Sequence, residues 1–92
     1  MKKQHLLKSI FQMKIELRKS AIKDLKNISE PFKSKIHHKI LELRQFPDIQ
    51  NIKKLTNFEP AYRLRVGNYR VLFDVMDDSI IIGRILHRQH SY

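Results

Sequence analysis

The last six residues of the chain, His87-Arg88-Gln89-His90-Ser91-Tyr92, gather two imidazoles, a guanidinium and a phenol. Arg63, Arg65, Arg70 and Arg84 come shortly before them. These side-chain types suit phosphodiester chemistry on RNA, which carries its own nucleophile. Once a base takes the proton of a 2′-hydroxyl, that oxygen attacks the adjacent phosphorus. The added negative charge must then be stabilised and the departing 5′-oxygen protonated. Arginine supplies the first need through bidentate contacts to phosphate oxygens. No metal is indicated: His87 and His90 stand three apart, and no carboxylate or cysteine nearby completes a ligand set. Taken singly, the histidines are ordinarily solvated or packed, and a final residue such as Tyr92 is ordinarily a loose end.

Such groups act together only if the fold places them on one surface. In Tyr62-Arg63-Leu64-Arg65-Val66 the alternation predicts a strand with both arginines on one face and the apolar residues on the other. Gly67-Asn68 supplies a tight turn into a second strand over 69–75, Asp77-Asp78 turns the chain again, and the isoleucine-rich segment 79–87 makes a third strand. This is a three-stranded antiparallel meander. Period-two counting lets Arg63 and Arg65 share a face and Arg84 and Arg88 share a face; whether these faces coincide depends on register. One arginine on the open side of a sheet is simply solvated, whereas five repel one another unless a polyanion or an acidic partner covers them.

Upstream, residues 1–12 form an extension in which Leu6, Leu7, Ile10 and Phe11 could line a short helix, ahead of a single domain over 13–92. The extension lacks the apolar run of a signal peptide, and no later stretch suits a membrane span. A short edge strand is predicted over 14–17, then a helix over 21–28 with Ser20 as its N-cap and Ala21, Ile22, Leu25 and Ile28 on one side. Pro31 opens a second helix whose apolar stripe is Phe32, Ile36, Ile40 and Leu43. Residues 48–60 read as a loop offering Lys53 and Lys54 to phosphate. The expected fold is α+β: an N-terminal strand and a helical hairpin on one face of an antiparallel sheet of about four strands, the other face left open.

Composition bounds the function. The 92 residues carry 19 Lys+Arg against 9 Asp+Glu, a formal charge of +10, which favours nucleic acid or an acidic protein as partner. The absence of cysteine excludes a disulfide framework and a thiolate nucleophile and agrees with a reducing cytoplasm. Two glycines leave no room for a P-loop or dinucleotide-binding loop.

From 13 to 92 the chain resembles the RelE/ParE superfamily of small toxins. The likeness is carried by Ala21-Ile22-Lys23-Asp24-Leu25, by Lys54-Leu55, by the segment from Tyr62 through Gly67-Asn68-Tyr69-Arg70 to Val71, and by His87-Arg88 with Tyr92. The RelE branch implies a metal-independent, ribosome-dependent endoribonuclease that cuts mRNA in the decoding site. Its partners would be the ribosome, mRNA and a cognate acidic antitoxin, with operator DNA reached only through the antitoxin. By position, Arg70 resembles the arginine that stabilises the scissile phosphate, Arg88 the general acid or charge stabiliser, and Tyr92 the base or stacking residue. Arg63 and Arg65 match two basic positions that hold the RNA backbone, and Arg84 adds a further cation. The short spacing from Arg88 to Tyr92 and the extra imidazoles make His90 or His87 alternative bases. The ParE branch implies a DNA gyrase poison instead, but that function gives no reason to gather these arginines on one sheet surface. A nucleic-acid-binding module without activity is the third reading; it would show steep salt dependence without cleavage.

Overall fold

The structure, a computed structural model, describes residues 12–55 and 60–90. Strand β1 (Lys14–Leu17) leads into helix α1 (Lys19–Lys26) and helix α2 (Phe32–Glu42), which tightens into a 3-10 turn over Leu43–Gln45. Strands β2 (Ile52–Lys54), β3 (Tyr62–Val66), β4 (Tyr69–Met76) and β5 (Ser79–His87) follow, and a 3-10 turn covers Arg88–His90. They form one five-stranded sheet in the order β1-β5-β4-β3-β2, antiparallel except for the parallel pair β1–β5.

The α+β architecture and the meander are as the sequence predicts, but the sheet has one strand more. Three residues of the expected loop, Ile52 to Lys54, pair with Leu64 to Tyr62. A strand so short carries no periodicity of its own; its partner defines it.

Both helices lie on one face of the sheet. Ala21, Ile28, Ile36, Ile40 and Leu43 bury against Leu64, Val71, Phe73, Ile80, Ile82 and Ile85. Fully burying an isoleucine or phenylalanine contributes about 1.5–3 kcal/mol, so this layer holds the two halves together. Two stripe residues do not join it: Ile22 is 41% exposed, and Phe32, at 46%, rests on the Tyr69 ring instead. The predicted N-cap differs as well. Helix α1 starts at Lys19 with Arg18 in the cap position, and the Ser20 hydroxyl donates to the Gly83 carbonyl at 2.6 Å.

One irregularity decides which side chains face out. Phe73 pairs with Ile82 and Leu72 with Arg84, so Gly83 is an extra residue in β5. Such a bulge shifts the alternation by one place. Ile80 and Ile82 face the helices before it, Ile85 and His87 after it, and Arg84 and Leu86 emerge on the open side.

Candidate nucleic-acid interface

Residues directly opposite on paired strands point to the same face, so the register settles what sequence alone leaves open. Lys53 stands opposite Arg63, Arg63 opposite Leu72, and Leu72 opposite Arg84. One pair of residues further along, Arg65 stands opposite Arg70, and Arg70 opposite Leu86. Four arginines and a lysine therefore occupy the face the helices leave uncovered, with Leu72, only 8% exposed, and half-buried Leu86 as an apolar floor between them. Such a floor keeps water from screening the cations and strengthens their hold on an anion.

The β3–β4 hairpin shapes the far end of this face. Gly67 takes a backbone φ of +57°, which its lack of a Cβ permits and which turns Val66 back onto Tyr69. The Arg70 guanidinium folds over this turn, its Nη1 donating to the Gly67 and Tyr69 carbonyls at 3.1 Å each. Asn68 in turn accepts the Arg88 amide N–H at 2.7 Å. The turn thus ties the end of β5, and with it Arg88, to the neighbourhood of Arg70.

The other site candidates fall elsewhere. Lys54 stands opposite Tyr62, on the helix side. His87 also lies on the helix side, opposite Tyr69, with its ring edge-on to the Tyr69 ring at 5.2 Å and its Nδ1 accepting the Gln89 amide at 3.3 Å. The fold therefore separates His87 from the arginine face. The His90 side chain and Tyr92 lie outside the described residues, as does the 1–11 segment.

Arg84 is engaged by Asp24 of α1. Its Nε donates to Oδ2 at 2.7 Å and its Nη2 to Oδ1 at 3.2 Å, while Asp24 Oδ2 also accepts the Ile85 amide at 2.9 Å. Burial pushes the Asp24 carboxyl up, but the hydrogen bonds from Arg84 and Ile85 and the Arg84 charge outweigh it and hold the group below its ordinary value. The same carboxylate raises the Arg84 guanidinium. Sequence reading missed Asp24 as a functional residue, because an aspartate among lysines on a helix looks solvated; its spacing of four from Ser20 was the available signal. Asp74 was missed as well: it accepts the Ala61 amide at 2.7 Å and so fixes the entry into β3.

On the helix side, a groove of about 720 Å³ runs between α2 and the β3–β4 hairpin. Phe32, Ile36, Val66 and Tyr69 give it an apolar lining, and Lys35 and Lys39 stand along it.

Residues 15–92 match the family described as the ParE toxin of the type II toxin-antitoxin system, parDE. The chain belongs to this toxin family. It is 36% identical over 84 residues to Toxin RelE3 of Methanocaldococcus jannaschii, an alignment covering 87% of the chain and 96% of that toxin. The fold is similar to a chain of the RelB-RelE antitoxin-toxin complex from Methanococcus jannaschii. There the TM-score is 0.67 at 33% identity, over 80% of this toxin and 91% of that chain. The isolated E. coli RelE toxin shares the fold at 16% identity, with a TM-score of 0.69 over 82% of this toxin and 83% of that chain.

Proposed function

We propose that this toxin is an endoribonuclease that binds mRNA across its arginine face, cleaves it in the decoding site of the ribosome and is silenced by an acidic antitoxin. The observation that carries the reading is the register. It gathers Arg63, Arg65 and Arg70 with Lys53 on one uncovered surface, beside the turn that holds Arg88.

Arg63, Arg65 and Lys53 hold successive phosphates of the strand. Arg70, its guanidinium already oriented by two carbonyls, and Arg88 stabilise the charge that builds on phosphorus as the 2′-oxygen attacks. The P–O5′ bond breaks as the new P–O2′ bond forms, leaving a cyclic phosphate and, once a water molecule gives its proton to the departing oxygen, a 5′-hydroxyl. With His87 turned to the helix side, the C-terminal His90 or Tyr92 serves as base. Arginine is a poor proton donor at neutral pH, so Arg88 acts chiefly as a cation. The apolar groove with its lysines suits an acidic amphipathic antitoxin segment, which would cover the arginine edge as it wraps the molecule.

Primer extension on a reporter mRNA in a translating extract tests this. Codon-phased cuts that vanish when translation is blocked support the nuclease. The matched family description, which names the ParE toxin, favours a second reading, gyrase poisoning. An intact transcript with arrested replication would establish that reading and overturn the first.

A further inference from the structure

Strand β1 accompanies β5 only from Ser79 to Ile82, yet β5 runs on to His87. Beyond Ile82, helix α1 and the residue before it take over that edge. The Arg18 amide donates to the Ile82 carbonyl at 2.9 Å, the Ser20 hydroxyl to the Gly83 carbonyl at 2.6 Å, and Asp24 accepts the Ile85 amide at 2.9 Å. Ser20 and Asp24 are four apart and so share one side of the helix. Unpaired edge groups cost stability and invite wrong partners, so α1 here does the work of a missing strand.

We infer that Ser20, Asp24 and Arg84 form a clamp that positions the end of β5, and with it Arg88, and that Arg84 is a positioning residue and not an RNA contact. The inference rests on the nuclease reading of the arginine face. Arg84 shares that face by register, but its guanidinium is forked onto a carboxylate only 17% exposed. The ion pair presents little net charge to a polyanion. Releasing Arg84 to a phosphate would strand Asp24, still hydrogen-bonded to Ile85, without its counter-ion. Arg88 lies three residues beyond Ile85, and its own amide is held from the opposite side by Asn68. The end of β5 is thus held from α1 on one edge and from the hairpin turn on the other, and loosening the first frees the second.

The test combines RNA binding with amide exchange on Asp24→Asn, Arg84→Gln, Ser20→Ala and the double variant Asp24→Asn/Arg84→Gln. The probe is a single-stranded RNA oligonucleotide with 2′-O-methyl groups, which cannot be cleaved. In Arg84→Gln the slope of log affinity against log salt stays at the wild-type value, whereas Arg65→Gln lowers it by about one contact. In Asp24→Asn the amides of Ile85 and Arg88 exchange roughly tenfold faster or more. On cleavable mRNA kcat falls while KM holds, and the double variant is no worse than the poorer single one. Ser20→Ala removes one neutral hydrogen bond and gives a smaller change of the same kind, which keeps the test sharp should Asp24→Asn fail to fold. Loss of one unit of salt slope in Arg84→Gln would overturn the inference, as would unaltered Arg88 exchange in a folded Asp24→Asn. A wild-type protein that binds neither the oligonucleotide nor ribosome-bound mRNA would instead defeat the nuclease reading, and the exchange result would still judge the clamp.

Discussion

Replacing Arg70 separates the chemistry of the arginine face from its stability. In Arg70→Ala the two hydrogen bonds to the Gly67 and Tyr69 carbonyls are lost. A bond from a charged donor is worth about 1.5–3 kcal/mol when its partner is left buried and dry. Gly67 is exposed and Tyr69 half-buried, so water replaces part of the loss. Arg70 also stands directly opposite Arg65, and removing one of two facing cations relieves repulsion. The balance is a destabilisation of about 1 kcal/mol, or roughly 4–8 °C in melting temperature for a domain of this size. On the proposed nuclease reading, cleavage loses far more. A preorganised donor at a developing oxyanion contributes about 2.7–4 kcal/mol, so kcat should fall by roughly 10²–10³. Arg70→Lys keeps the charge but not the planar fork and recovers only part of that loss. The assay pairs thermal unfolding with single-turnover cleavage of ribosome-bound mRNA. A variant that melts within the stated range yet cleaves at the wild-type rate would refute the assignment of Arg70 to the transition state.

Three further outcomes are expected. Gly67→Ala must hold an L-residue at φ +57° and costs about 1 kcal/mol, whereas Gly83→Ala, whose new Cβ would meet only the Leu72 carbonyl at 3.8 Å, leaves the denaturation midpoint nearly unchanged. The Asp24 carboxyl is held below its ordinary value, so its contribution to stability is present above that value and disappears as pH falls through the lower, folded one. Urea unfolding followed across the acid range should show that acid-side loss shrink in Asp24→Asn; an identical pH profile would contradict it. Lys53→Gln should weaken RNA binding and lower the salt slope by about one, while Lys54→Gln, on the other face, leaves both nearly as they were.

Much of this fold is legible in the sequence because its alternation is regular where it matters. Strand β3 follows from period two and the bounds of β5 from its run of isoleucines, and Gly67-Asn68 and Asp77-Asp78 mark the turns between Val66 and Tyr69 and between Met76 and Ser79. The missed features are all set by partners distant in sequence. Strand β2 exists through β3. Ser20 abandons its local capping role for a carbonyl 63 residues away, and Asp24 finds an amide 61 residues away. A helix-capping serine and a surface aspartate follow from local rules, and tertiary contacts override both. For the site, residue types and spacing suggest the arginines, but only register shows that Arg63, Arg65 and Arg70 coincide while His87 and Lys54 do not.

The bulge at Gly83 links these two kinds of information. Without the extra residue, strict alternation from Ile80 and Ile82 would turn Arg84 and Leu86 into the helix-packed core and Ile85 out to solvent. Burying Arg84 among Val71, Phe73 and Ala21 without a partner would cost several kcal/mol, on the order of the whole stability of a small domain. The inserted residue removes that conflict, and just beyond Ile82, where β1 has ended at Leu17, β5 shows an edge at Gly83 and Ile85. Ser20 and Asp24 close that edge, and Arg84, now on the open side, is where Asp24 finds its counter-ion. The bulge, the helix clamp and the arginine face are therefore one coupled solution, which is why a substitution on α1 should be felt at Arg88.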